Sequence, residues 1–180
     1  MDSNKIINVS KDFDSFSDNP LVQILDYKED DLTSAFRFLL KNNEDIAKEF
    51  FKLCGINKKP VDFEIYLREK IKNSRKTNMP DLTFEWQDDG SEIFVEAKLN
   101  SPVDKSQLNR YSNLSKGKVI CITRAGEEKE VRKEVKGVKF KTWEDIYRII
   151  EKISNNNRSQ KMLMVKYFLG YLTYLGISVN

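Results

Sequence analysis

The chain of 180 residues contains no histidine. That absence removes Ser-His-Asp and Cys-His catalysis, histidine general bases and histidine-ligated zinc. Any chemistry here must rest on carboxylates, lysine, tyrosine or a hard metal. Cysteine is scarce: Cys54 and Cys121 both sit in apolar stretches and read as reduced core thiols of a cytoplasmic protein, not as a disulfide framework. No run is long and apolar enough to span a membrane. The opening residues, MDSNKIINVSKDF, lack the continuous apolar region of an export signal. A strong excess of one charge is also missing. One third of the residues are charged, 33%, yet the net charge is only +3, so the overall balance does not by itself indicate nucleic acid.

What is present suits one domain with a proper core. Residues 1–20 are polar and read as a flexible N-terminal segment, and 21–153 as the domain. In DLTSAFRFLLKN, Leu32, Phe36, Leu39 and Leu40 recur at helix spacing. NEDIAKEFFKLCG reads as a second helix capped by Asn43 and stopped at Gly55. PVDFEIYLR alternates as a strand, and GKVICIT is a short apolar strand of the kind covered on both faces. EEKEVRKEV predicts a surface helix, GVKFKTW a strand, and TWEDIYRIIEKI a helix turning Trp143, Ile146, Ile149, Ile150 and Ile153 inward. SNNNRSQ, 154–160, reads as a linker. Residues 161–180 form a C-terminal helix that packs either on the core or on a partner, a second copy of the chain or a larger complex. The resulting fold class is α/β, a mixed sheet flanked by helices.

The most informative stretch is MPDLTFEWQDDGSEIFVEAKLNS, 79–101. Leu82, Phe84 and Trp86 alternate with polar residues, as do Ile93, Val95, Ala97 and Leu99. Asp89-Gly90 between them predicts a two-residue type I′ hairpin. Leu82 would then face Ala97, Phe84 face Val95, and Trp86 face Ile93. The same register sets Asp81 opposite Lys98 with Glu96 diagonal, neighbours roughly 4.5–8 Å apart. The plain alternative is a solvated surface trio in which Lys98 neutralises two acids. The chemical alternative is a divalent cation held by oxygen ligands.

Pro80-Asp81, fourteen intervening residues and Glu96-Ala97-Lys98 resemble the signature of the PD-(D/E)XK nuclease superfamily, the restriction-endonuclease-like fold. The resemblance implies an αβββαβ core. It implies Mg²⁺, with Mn²⁺ as a substitute, held by Asp81, Glu96 and the Ala97 backbone carbonyl, and Lys98 positioning or deprotonating the attacking water. It also implies an upstream acid among Glu29, Asp30 and Asp31. Glu29 stands four before Thr33, a spacing often seen in related nucleases, and shares the inward stripe if the helix extends back to it. Gln107 and Tyr111, on the helix after the hairpin, resemble the Gln-x-x-x-Tyr element of some branches, which contacts DNA or supports the catalytic residues. Ser101 and Pro102 predict that helix's cap and first turn. LREKIKNSRKTN, with Arg68, Lys70, Lys72, Arg75 and Lys76, reads either as a phosphate-tracking loop or as a solvated connector. The expectation is a metal-dependent deoxyribonuclease with nucleic acid, DNA favoured, as partner, placed in defence or recombination by analogy alone. The alternative is a catalytically silent nuclease-fold module that binds nucleic acid or protein.

Overall fold

A computed structural model describes residues 18–68, 71, 79–115, 118–156 and 162–179. The basic residues Lys70, Lys72, Arg75 and Lys76 lie outside the described residues, as do 1–17. Helices α1 (Pro20–Ile24), α2 (Glu29–Asn42) and α3 (Glu44–Leu53) precede three strands, β1 (Phe63–Leu67), β2 (Leu82–Trp86) and β3 (Glu92–Ala97). Then follow α4 (Lys105–Leu114), β4 (Val119–Thr123), α5 (Glu128–Glu134), β5 (Val138–Thr142), α6 (Trp143–Asn156) and α7 (Met162–Tyr174). The five strands form one sheet in sequence order, with β1, β2 and β3 antiparallel and β3, β4 and β5 parallel. The architecture is therefore α/β, a mixed sheet flanked by helices.

Strand periodicity sorts the side chains onto two covered faces. Leu82, Phe84, Trp86, Ile93, Val95 and Ala97 meet α2, α3, α6 and α7 in the larger core cluster. Aromatic rings fill its centre: Phe36 meets Trp143 edge-to-face at 5.5 Å, and Phe50 stacks on Phe84 at 6.1 Å. The opposite face carries Phe94, Val119 and Cys121, packed with Leu108 and Tyr111 of α4 and Val131 of α5. The Cys54 and Cys121 thiols are free and buried, and burial first of all pushes both up to about 12.

The hairpin departs from its expected register. Leu82 pairs with Val95, Phe84 with Ile93, and Glu85 with Glu92, two residues away from the pairing a two-residue loop would impose. Only Gly90 takes a positive φ, +62°; Asp89 does not, so a type I′ turn, which needs two such residues, cannot form. The Asp88 and Asp89 carboxylates instead bind Lys58, at 3.3 and 2.6 Å. The Asp89 carboxylate also accepts from the Ser91 amide. The loop widens to Gln87–Gly90, closed by the Trp86 amide donating to the Ser91 carbonyl. Because the shift is even, each side chain keeps its predicted face.

The helices mostly match their patterns. Helix α2 does begin at Glu29. Asn43 caps α3 by accepting from the Ile46 amide. Thr142 and Asp145 exchange backbone-to-side-chain bonds in a reciprocal cap at the start of α6. Two boundaries move. Asp104, not Ser101, caps α4, accepting from the Ser106 and Gln107 amides. That leaves 98–101 as an irregular segment after β3. Helix α6 runs to Asn156, into the stretch expected to be a linker. In α7, Val165, Phe168, Leu169, Tyr171 and Leu172 join the larger core cluster, so this helix covers the core, while Leu163 and Met164 face outward. Among the described residues no helix is long and apolar enough to cross a membrane.

Candidate active site

Pro80 has no amide hydrogen to give to a ladder, and β2 begins two residues later. Asp81 occupies the step between. Its backbone carbonyl accepts from Arg68 N–H at 3.1 Å, and its Oδ2 accepts from the Ala97 amide at 2.8 Å. Continuing the β2–β3 register one position sets Asp81 opposite Glu96, not opposite Lys98. The two carboxylates thus stand side by side at the end of β3, on the face covered by α4. Asp81 is 7% exposed and Glu96 2% exposed, so this is no solvated surface trio. Burial is the first reason their charged forms are disfavoured, and a neighbouring acid adds to it, Glu29 at Asp81 and Asp81 at Glu96. Asp81 is raised above the ordinary carboxylate range, although the Ala97 amide and Lys98 pull the other way. Glu96 is pushed up to about 7 by burial and by Asp81, against the opposing pull of Lys98.

Lys98 leaves the strand end and folds back. Its Nζ lies 2.7 Å from Glu96 Oε1 and donates to Glu29 Oε1 at 3.1 Å. Burial alone would lower its pKa, but Glu96, Glu29 and Asp81 outweigh that and hold it above the ordinary lysine value. Lys98 is therefore a fixed cation and not a ready base. Glu29, in the first turn of α2, also accepts from the Leu99 amide at 2.9 Å and from Ser101 Oγ at 2.6 Å. Of the three upstream acids only Glu29 reaches this cluster. Asp30 pairs with Arg68, and Asp31 accepts from the Asp26 amide. The 98–101 segment is fixed from the other side as well. Trp143 Nε1 donates to the Lys98 carbonyl at 3.0 Å, and Arg124 Nε to the Leu99 carbonyl at 3.1 Å. A core tryptophan thereby sets the backbone from which the site lysine springs.

Gln107 and Tyr111 meet as their spacing implies: Gln107 Nε2 donates to Tyr111 Oη at 2.9 Å. The Tyr111 ring is fully buried, edge-on to Phe94 at 6.2 Å. Burial is the main reason its hydroxyl is pushed up to about 12; the Gln107 bond opposes, while Glu96 and Asp81 add to the rise. The pair therefore sits behind the carboxylates. Sequence reasoning has Arg68 only as part of the basic stretch 67–78 and misses the site contacts of Ser101, Trp143 and Arg124. Arg68 has a positive φ of 45°, rare for a residue with a side chain, and its Nε is 3.8 Å from Asp81 Oδ1. The signals for these four are weak, because each acts through a contact made only in the folded chain.

The donor set suits a hard cation: two adjacent carboxylates, with the Ala97 carbonyl next in the chain. One buried oxygen, Glu96 Oε2, has no hydrogen-bond partner. An oxygen of this kind can accept from a water or bind an ion. As they stand, no three His, Cys, Asp or Glu side chains among the described residues form a metal-ligating group, since Glu29 is turned onto Lys98, Leu99 and Ser101. The site is thus two adjacent carboxylates with a lysine across them. Compared with known proteins, the chain matches no family model, no curated protein and no solved structure.

Proposed function

We propose that this chain is a metal-dependent nuclease of the PD-(D/E)XK kind that hydrolyses phosphodiester bonds, with DNA the favoured substrate. The observation that carries the reading is the convergence of Asp81, Glu96, Lys98 and Glu29 at one end of β3, with a buried carboxylate oxygen left unpartnered. The order α2, α3, β1, β2, β3, α4, β4, antiparallel in its first three strands and parallel at the fourth, supports a restriction-endonuclease-like αβββαβ core with one extra helix, α3, inserted.

Asp81, Glu96 and the Ala97 carbonyl would hold Mg²⁺, or Mn²⁺ in its place. The bound ion supplies Lewis-acid polarisation of a phosphoryl oxygen and a more acidic water. Lys98, kept cationic by its three acids, orients the attacking water and offsets charge that develops on the phosphate. Glu29 fixes the lysine's head, and Ser101 and the Leu99 amide fix Glu29. The water oxygen would form the new P–O bond in line, its proton passing to solvent, as the P–O bond to the leaving oxygen breaks and that oxygen takes a proton from solvent. Tyr111 and Gln107 wall the site and keep its carboxylates dry. Incubation of the purified protein with plasmid DNA and Mg²⁺ tests the reading: nicking or linearisation abolished by EDTA is the expected result, and intact plasmid in every metal contradicts it.

A further inference from the structure

We propose that the chain carries a second ligand site at the opposite end of the sheet, which binds a small phosphate-bearing molecule with an apolar body about the size of a mononucleotide. A cavity of about 300 Å³ opens there between the segment after α3 and the first residues of β3, β4 and β5. That volume is at the lower end of the range small-molecule sites occupy. Its floor is apolar, formed by Ile56, Ile93 and Ile120.

Its mouth is cationic, with three lysines arriving from three segments. Lys118 is exposed and pairs with no carboxylate among the described residues, while its backbone is fixed by the Phe94 amide and by Ser115. Lys139 Nζ donates to the Gly55 carbonyl at 2.8 Å, which leaves two of its hydrogens for a ligand. Gly55 permits that placement. It has a φ of +60°, and a Cβ there would stand 3.1 Å from the Lys139 nitrogen. Lys58 is oriented by Asp88 and Asp89, so it offers a donor more than a net charge.

A fourth polar group stands at the cavity wall: Ser91, whose hydroxyl lies beside the Asp89 carboxylate that also accepts from its amide. Donors that converge from separate segments suit a tetrahedral anion with several oxygens better than a planar carboxylate with two. The isoleucine floor suits the body attached to it. Ser91 and Glu96 lie at opposite ends of β3, roughly 16 Å apart at about 3.3 Å per residue. The inference therefore does not rest on the nuclease reading.

Calorimetric titration of the full chain in EDTA tests it, with a 5′-mononucleotide, the matching nucleoside and inorganic phosphate as separate probes. The mononucleotide is expected to bind more tightly than either part. Lys118→Glu, an exposed change that leaves the core intact, should weaken it at least about tenfold. Ser91→Ala should weaken it several-fold, and Asp81→Ala should leave it unchanged. No heat from the mononucleotide at millimolar concentration overturns the proposal. So does affinity indifferent to Lys118→Glu, affinity equal to that of inorganic phosphate, or binding lost in Asp81→Ala.

Discussion

Glu29 and Lys98 stand 69 positions apart in the chain and 3.1 Å apart at Oε1 and Nζ. That single contact joins the first turn of α2 to the end of β3. It also explains how a lysine can sit beside two buried acids without itself becoming a base. Glu29→Gln keeps the shape but removes the charge that balances Lys98. Cleavage should fall at least about tenfold, the scale of a lost positioning interaction, while the thermal midpoint changes little. Ser101→Ala, which removes the 2.6 Å bond to Glu29, should lower cleavage several-fold and cost about 1 kcal/mol. Cleavage assays and thermal denaturation of both variants check this.

The buried Glu96 imposes a pH dependence on the metal-free protein. Its carboxyl is raised from 4.5 to about 7 in the fold, so the folded state holds a proton more tightly than the unfolded chain. Its contribution to stability is fully present below the unfolded value and is lost as pH rises through about 7. Glu96→Gln removes this slope. In EDTA at pH 8 the variant should melt several degrees above the wild type, since about 1 kcal/mol is worth ~2–4 °C in a chain of this size. Mg²⁺ should raise the wild-type midpoint and leave that of Glu96→Gln nearly unchanged. Melting curves across pH, with and without metal, provide the check.

Tyr111 separates packing from chemistry. Tyr111→Phe keeps the ring against Phe94 and loses only the Gln107 bond, so stability should fall by about 1 kcal/mol. Tyr111→Ala empties the middle of the smaller core cluster and should cost about 3–5 kcal/mol, as for other large aromatic truncations. Chemical denaturation of the two variants measures the difference.

Arg68 lies over Asp81 in a strained backbone conformation and pairs with Asp30. Arg68→Gly relieves the positive φ and removes the guanidinium together; Arg68→Lys keeps a charge but not the fork. Both variants should raise the KM for DNA, and only Arg68→Gly should avoid a stability cost. Steady-state kinetics beside melting curves separates the two effects.

Much of this was legible in the chain. The even period of 82–86 and 92–97 placed Asp81 and Glu96 on one face, and that held although the register shifted by two residues. The shift itself was hidden. Asp89-Gly90 is a sound turn signal, but Lys58, some thirty positions upstream, holds both aspartates and widens the loop. The start of α4 was misplaced for a related reason. Ser101 has the chemistry of a cap, yet its hydroxyl is taken by Glu29, and Asp104 caps in its stead. The choice among Glu29, Asp30 and Asp31 could not be read locally, because Lys98 and Arg68 decide it from across the fold. Trp143 read only as a core residue; nothing in sequence shows that its indole nitrogen holds the Lys98 carbonyl.

The most direct measurement is cleavage of supercoiled plasmid and of single-stranded DNA by the wild type, Asp81→Ala and Lys98→Ala, each in Mg²⁺, Mn²⁺ and EDTA. The wild type should cut at least one substrate only when metal is present, and both variants should lose at least about two orders of magnitude of that rate while remaining folded. Folded wild-type protein that cuts neither substrate, or cutting that survives both substitutions, would contradict the nuclease reading.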